Sequence, residues 1–320
     1  MRTRALSAPT LLGLTLACAL LLAACSSGHD EAGPTPTSSA ASSTEDSATG
    51  SGSAAPSSPP PSSATPSSAA STPPKAGTTA VPPPPAAGAR WIPAPGTPWQ
   101  WQLTTPVDQS VDVPVYDVDG VEVSAADVQS LHAKGRKVIC YVNVGASEDF
   151  RPDKNAFTPE VQGKSDRWPG EKWLDVRKLD QLRPIMAGRF DQCRGKGFDA
   201  IEADQVDGYK SDTGFPLTDR DQLAYNRMLA GLAHERGLSI GLKNDLDQVT
   251  DLLGDFEFAI NEQCAQYQEC DRLSPFIQAG KAVFHVEYEL SNDRFCAASK
   301  ALRFSSMRKN LKLDAPRWPC

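Results

Sequence analysis

The chain has 320 residues, 40% of them hydrophobic, with 32 Lys and Arg against 39 Asp and Glu, a net charge of −7. An acidic balance argues against nucleic acid as a partner, because phosphate binding needs a basic face; it suits a neutral or cationic ligand. All six Trp, six Tyr and eleven Phe lie beyond residue 90, so the folded part is expected at 91–320, a length that suits one large domain.

Residues 1–24 read as an export signal. Arg2 and Arg4 form a short basic start, and Leu11–Leu22 is an apolar run too short to span a bilayer as a mature helix. The run ends in Leu22-Ala23-Ala24-Cys25, which resembles the bacterial lipobox. That resemblance implies cleavage before Cys25 and a lipid on its sulfur; an ordinary secretory signal with a chance Cys is the alternative. From Cys25 to Arg90 the chain reads as a linker: residues 26–90 hold 13 Pro and no aromatic residue. Such a segment cannot bury enough apolar surface to offset its ordering entropy. As a loose coil it spans roughly 45 Å, a tether across or through a cell wall. The folded part is therefore expected outside the cytoplasm, meeting the membrane through the lipid anchor only, as a monomer.

Of eight Cys, Cys18 leaves with the signal and Cys25 takes the lipid. Six remain in an oxidising compartment, which suggests disulfides. Cys264 and Cys270 are the close pair, and Cys296 with Cys320 would staple the C-terminus. Zinc is the other use for such residues, but there is no Cys-x2-Cys and no His close to the Cys-x5-Cys pair, so no metal is expected.

Beyond residue 90, apolar runs alternate with helical patterns. Strands are expected at Trp99–Leu103, Val113–Val118, Lys137–Val144, Phe198–Asp204, Ser239–Lys243, Glu257–Asn261 and Ala282–Glu287. Helices are expected from Ser124 to Lys134, at Arg183–Arg194, Asp221–Arg236, Val249–Gly254 and Pro275–Ala279. Ser124 is a candidate N-cap, with Asp127 three residues on. This alternation implies a parallel sheet with helices outside, and the strand number in some 230 residues favours a closed (β/α)8 TIM-type barrel. No Gly-x-Gly-x-x-Gly follows the first strands, against a dinucleotide fold.

In such a barrel, functional residues sit at the C-terminal ends of strands. Polar residues gather there: Asp117 and Asp119, Tyr141 and Asn143, Glu202 and Asp204, Asn244 and Asp245, Glu262, then Glu287 and Glu289. Side chains alternate faces along a strand, so Ala200, Glu202 and Asp204 share one side. Two like charges on an inward face are of little use to a structural strand, but in an active site their proximity separates one acid from one base. Asp207 and Tyr209 open the loop that follows. Parity also places Cys140 on the opposite face from Tyr141 and Asn143, toward the helix that carries Cys193. A Cys140–Cys193 bridge is expected, two buried free thiols being the alternative.

The blocks Gly197–Tyr209, Thr213-Gly214-Phe215-Pro216-Leu217, Gly241-Leu242-Lys243-Asn244-Asp245, Asn261-Glu262-Gln263-Cys264 with Glu269-Cys270, and Val286-Glu287-Tyr288 together resemble the catalytic domain of glycoside hydrolase family 114, the endo-α-1,4-polygalactosaminidases. The likeness extends from about Trp99 to Leu290. It departs at Glu202-Ala203-Asp204-Gln205, where the family commonly has Glu-Pro-Asp-Asn. The resemblance implies a (β/α)8 barrel that hydrolyses α-1,4 bonds of galactosamine-rich polysaccharide without a cofactor. The family's catalytic carboxylates match Asp204, expected as nucleophile or base, and Glu262, expected as acid; a retaining outcome is favoured. Asp117, Asp119, Glu202 and Asp207 would then attract the sugar ammonium. Tyr141, Tyr209 and Tyr288 could stack on sugars or simply pack the barrel, and Lys243 could neutralise a neighbouring carboxylate. Asn143, Asn244 and Glu287 complete the expected substrate-binding set.

Other readings of the same residues remain: a polysaccharide-binding wall lipoprotein without catalysis, or a hydrolase of another sugar polymer. A metal-dependent hydrolase fits less well, because His29, His132, His234 and His285 are scattered.

Overall fold

Eight strands follow one another around a parallel sheet in the computed structural model, which describes residues 90–320. The expected signal 1–24, Cys25 and the linker up to residue 89 lie outside the described residues. The strands are β1 (Trp99–Gln102), β2 (Val115–Asp119), β3 (Lys137–Asn143), β4 (Ala200–Asp204), β5 (Ser239–Lys243), β6 (Phe258–Glu262), β7 (Val283–Glu287) and β8 (Ser305–Lys309). Each pairs in parallel with the next. Between β8 and β1 the seam is held by other contacts. Trp99 Nε1 donates to Ser305 O at 2.8 Å, and Leu103 N donates to Leu313 O at 2.9 Å. A last short strand, Arg317–Pro319, runs antiparallel to β8, and Arg317 Nη2 donates to Trp99 O at 2.9 Å. The fold is the expected (β/α)8 barrel.

Helices α1 (Ala125–Ala133), α2 (Leu179–Lys196), α3 (Asp219–Glu235), α4 (Val249–Leu252), α5 (Ser274–Gln278) and α6 (Asn292–Ala301) fill the crossovers after β2 to β7 in turn. Their ends follow local chemistry. Ser124 and Asp127 form a capping box at the start of α1, as Thr218 and Asp221 do for α3. Gly197, at φ 93°, closes α2 in the left-handed conformation that a side chain resists. Helix α2 starts four residues earlier than the sequence suggests, with Pro184 inside it. A proline there removes one backbone donor, but the buried Leu182, Met186, Phe190 and Cys193 commit that face to the barrel.

Residues 293–320, whose role the sequence leaves open, supply most of α6, all of β8 and the closing hairpin. A second feature was not visible in the sequence. Between β3 and α2 the chain builds a three-stranded antiparallel sheet from Ala146–Glu148, Gln162–Ser165 and Glu171–Leu174, the last in the middle. Ion pairs tie this insertion to the barrel: buried Arg151 bridges Asp119 at 2.7 Å and Glu148 at 2.9 Å, and Arg189 of α2 reaches the half-buried Asp153 at 2.7 Å.

Strand parity divides the core in two. Inward positions Trp99, Trp101, Val115, Ile139, Phe258, Phe284 and Met307 fill the barrel. Outward positions such as Tyr116, Cys140, Ile201 and Leu242 pack with Leu131, Phe190 and Leu229 of the helices. The interior is tight enough that a Cβ on Gly241 would stand 2.3 Å from the Phe258 ring; no side chain fits there. Cys140 of β3 bonds Cys193 of α2, and Cys264–Cys270 and Cys296–Cys320 are the other two bridges. The first encloses the longest stretch, a separation of 53 residues. Its reduction should cost the most stability, about 2–5 kcal/mol. A Cys140→Ala/Cys193→Ala variant that melts with the wild type in denaturant would contradict this.

Candidate active site

Three neighbouring strands end in three charged residues. Asp204 is the last residue of β4, Lys243 of β5 and Glu262 of β6. The parallel register brings them together at the C-terminal mouth of the barrel. Lys243 Nζ lies 2.8 Å from Asp204 Oδ1, 3.2 Å from Glu262 Oε2 and 3.2 Å from Glu202 Oε1. It also stands 4.9 Å from the centre of the Trp101 ring, a favourable place for a cation. Tyr141 donates its hydroxyl to Asp204 Oδ2 at 2.8 Å, and Tyr288 donates to Glu262 Oε1.

The backbone turns sharply after each of these residues. Gln205, Asn244, Asp245 and Gln263 all have positive φ, between 42° and 62°. For residues other than glycine this conformation costs about 1–3 kcal/mol each, and it recurs where a site is held in place by its surroundings. Asn244 shows what holds it here. Its Oδ1 accepts from Glu262 N at 3.0 Å, and its Nδ2 donates to Glu262 Oε2 at 3.2 Å. The left-handed turn thus clamps the neighbouring carboxylate.

Asp117 and Glu202 lie beneath, fully buried. Among the described residues no hydrogen-bond donor reaches any of their four carboxylate oxygens; Lys243 pairs with Glu202 in charge only. Burial, then the neighbouring Glu202, pushes Asp117 well above the usual carboxylate range. Burial likewise raises Glu202, against the pull of Lys243, to about 7. Asp204 differs. Burial would raise it too, but Lys243 and the Tyr141 hydroxyl outweigh that and hold it below its ordinary value. The same cluster thus pushes neighbouring carboxyls in opposite directions, Asp204 down and Asp117 and Glu202 up.

Above this floor lies a cleft of about 510 Å³. Of the residues singled out in the sequence, Tyr141, Asp204, Asp207, Lys243, Asn244, Glu262 and Tyr288 line it. Burial raises Asp207, with Lys210 opposing. The remaining expected binding residues stand elsewhere. Asp117 and Glu202 lie under the floor. Asp119 is consumed by Arg151 and by the amides of Val121 and Glu122. Asn143 accepts from Gly145 N and Ala146 N and donates to Glu171 Oε2 at 3.0 Å. Both therefore fasten the inserted sheet rather than meet a ligand. Tyr209 turns to Asp245 Oδ1 at 3.3 Å. Glu287 is corrected most plainly. The inward positions of β7 are Phe284 and Val286, so Glu287 points to the outer face. There it bonds His285 Nε2 at 2.9 Å and accepts from Ala265 N at 2.8 Å, which anchors the loop after Glu262.

The sequence reading missed the cleft's aromatic walls. Trp101 comes from β1, while Trp168 and Trp173 come from the inserted sheet and its turn. Two Trp in a polar run with neither helical nor strand period were the available signal. Glu171 was missed as well. Burial and the nearby Glu148 raise its carboxyl to about 7, while Asn143 and Gln205 donate to it. The grouping of Cys264, Cys270 and His285 has metal-like spacing, but its two sulfurs are bonded to each other and the imidazole is held by Glu287 and Ser306.

The raised carboxyls carry a prediction. Glu202, Glu171 and Asp245 are each held near 7 in the folded protein, chiefly by burial. The folded state therefore keeps protons that the unfolded chain has released, and stability falls as pH rises from about 4 to about 7 before levelling. Glu202→Gln should flatten that decline in pH-resolved denaturant melts; an unchanged slope would contradict the assignment.

An ionised carboxylate and a second carboxyl joined across one ammonium, in an aromatic-walled cleft at the C-terminal mouth of a barrel, are the parts of a glycoside hydrolase. Residues 80–320 match the model of glycoside-hydrolase family GH114, and the chain belongs to that family. It is similar to Ega3 of Aspergillus fumigatus, whose crystal structure is a complex with galactosamine. The two are 40% identical with a TM-score of 0.69, covering 73% of this chain and 98% of that one. The glycoside hydrolase domain of PelA from Pseudomonas aeruginosa shares the fold at 14% identity, with a TM-score of 0.54 over 69% of this chain and 96% of that one. An uncharacterized protein of Deinococcus radiodurans is 25% identical over 209 residues, 58% of this chain and 66% of its own length.

Proposed function

We propose that the protein cleaves internal α-1,4 bonds of galactosamine-rich polysaccharide by a retaining two-carboxylate mechanism. The observation that carries this is Asp204 and Glu262 sharing Lys243. Both touch one ammonium, at 2.8 and 3.2 Å, which keeps the two carboxyls close, and retaining pairs are the closer-set class, about 5–5.5 Å against about 6.5–9.5 Å for inverting pairs. Asp204, kept ionised, attacks the anomeric carbon as Glu262 protonates the leaving oxygen. Water then attacks the same carbon, gives its proton to Glu262 and releases Asp204. Once Asp204 is esterified and neutral, Lys243 is left to Glu262, which favours Glu262 as the base of the second step.

The substrate class follows from charge and likeness. Five acids line the cleft against three cations: Asp166, Glu171, Asp204, Asp207 and Glu262 against Arg167, Lys243 and Lys312. That excess suits the ammonium of unacetylated galactosamine, and the similar Ega3 was crystallised with galactosamine. The disulfides fit an oxidising compartment. We place the domain outside the cytoplasm, tethered by lipid on Cys25 through the linker 25–90. Proton NMR of a fresh digest tests the mechanism. New reducing ends should form first as the α anomer; β ends formed first would overturn the retaining assignment.

A further inference from the structure

Resting on this reading, we infer a direction for the polymer: its leaving-group side runs over Glu262 into a second cavity and stacks on Tyr267. This cavity, about 350 Å³, lies on the far side of Glu262. Glu262, Asn244 and Asp207 line both spaces, whereas Asp204 lines only the main cleft. A proton donor must face the departing oxygen, and a nucleophile must face the sugar that keeps its anomeric carbon. The sugar that is attacked therefore sits in the main cleft. The departing sugar sits where the donor, but not the nucleophile, is exposed.

The second cavity is equipped for a sugar. Tyr267 is 62% exposed there, an aromatic face that the fold does not use for packing. It belongs to the loop closed by Cys264–Cys270, whose amides are pinned by Glu287. The platform is thus held at a fixed distance from Glu262, and this gives the disulfide loop a use beyond stability. Charge fits the same ligand. The cations Lys210 and Arg272 both pair with Asp247. Asp207 and Glu269 have no cation within ion-pair distance among the described residues, and so remain to accept a sugar ammonium. Arg167 bridges the two spaces, with its guanidinium 5.3 Å from the centre of the Trp168 ring.

The test uses the full chain carrying Glu262→Gln and a galactosamine oligosaccharide with a photoreactive group at its reducing end. Saturable labelling should fall on residues 263–272. Labelling of 311–313, at the opposite wall of the main cleft, would overturn the direction and leave the proposed function standing. No saturable labelling, together with no cleavage by the unmodified enzyme, would overturn both. In parallel, Tyr267→Ala should lower kcat/KM on polymer by about three- to tenfold, the worth of one aromatic contact. The loss should be smaller on an aryl galactosaminide with no departing sugar, and Tyr267→Phe should restore the polymer rate. Equal losses on the two substrates would overturn the platform.

Discussion

Lys243→Met is expected to lower kcat at least a hundredfold and to destabilise the protein by about 3–5 kcal/mol, the usual consequence of stripping a buried charge cluster of its counter-ion. Lys243 is 3% exposed and contacts three carboxylates at once; burial alone would make it easier to deprotonate, but those acids hold its pKa well above the ordinary range. Without it, Asp204 and Glu262 and the Glu202 beneath them are left with no cation. Asp204 then keeps only the Tyr141 hydroxyl and backbone contacts against burial, and its pKa rises. A nucleophile with a higher pKa is protonated at higher pH, so the acidic limb of the pH–rate profile should move toward neutrality. The limb separates electrostatic from structural roles. A destabilised variant whose acidic limb stays in place would show that Lys243 supports the fold and not the charge of Asp204.

The second large effect separates the two carboxylates. Asp204→Asn and Glu262→Gln should each lower kcat on polymer by about 10³-fold or more. They should differ on a galactosaminide with an activated leaving group. Such a group departs without a proton, so Glu262→Gln should keep much of its glycosylation rate, while Asp204→Asn, which lacks the attacking oxygen, should not. Burst kinetics read this directly. Equal retention by both variants would contradict the division of roles.

Much of this site could be read from alternation along single strands. Glu202 and Asp204 share a face because they are two residues apart, and the same count sets Cys140 against the helix of Cys193. Glu287 stands at a strand end but with the wrong parity for the mouth: Val286 and Tyr288 face inward, and Glu287 does not. Asp119 and Asn143 failed for a different reason. Their partners, Arg151 and Glu171, belong to an insertion whose strands, such as Gln-Gly-Lys-Ser at 162–165, carry no apolar alternation. Strand β8, Ser-Ser-Met-Arg-Lys, is equally silent, because it is buried by the closure of the barrel and not by its own hydrophobicity. Gln205 occupies a left-handed turn that suits the asparagine common in the family; its longer amide reaches Asp166 and Glu171 of the insertion, at 2.8 and 3.1 Å. What the sequence conceals is therefore mostly long-range: who meets whom across the mouth of the barrel.

The most direct measurement is oligosaccharide release from a partially deacetylated α-1,4-linked galactosamine polymer, comparing the wild-type protein with Asp204→Asn and Glu262→Gln. Short oligosaccharides from the wild type and from neither variant are expected. Retained binding of the polymer by the wild type, with no release of products, would contradict the account and leave a polysaccharide-binding protein in its place.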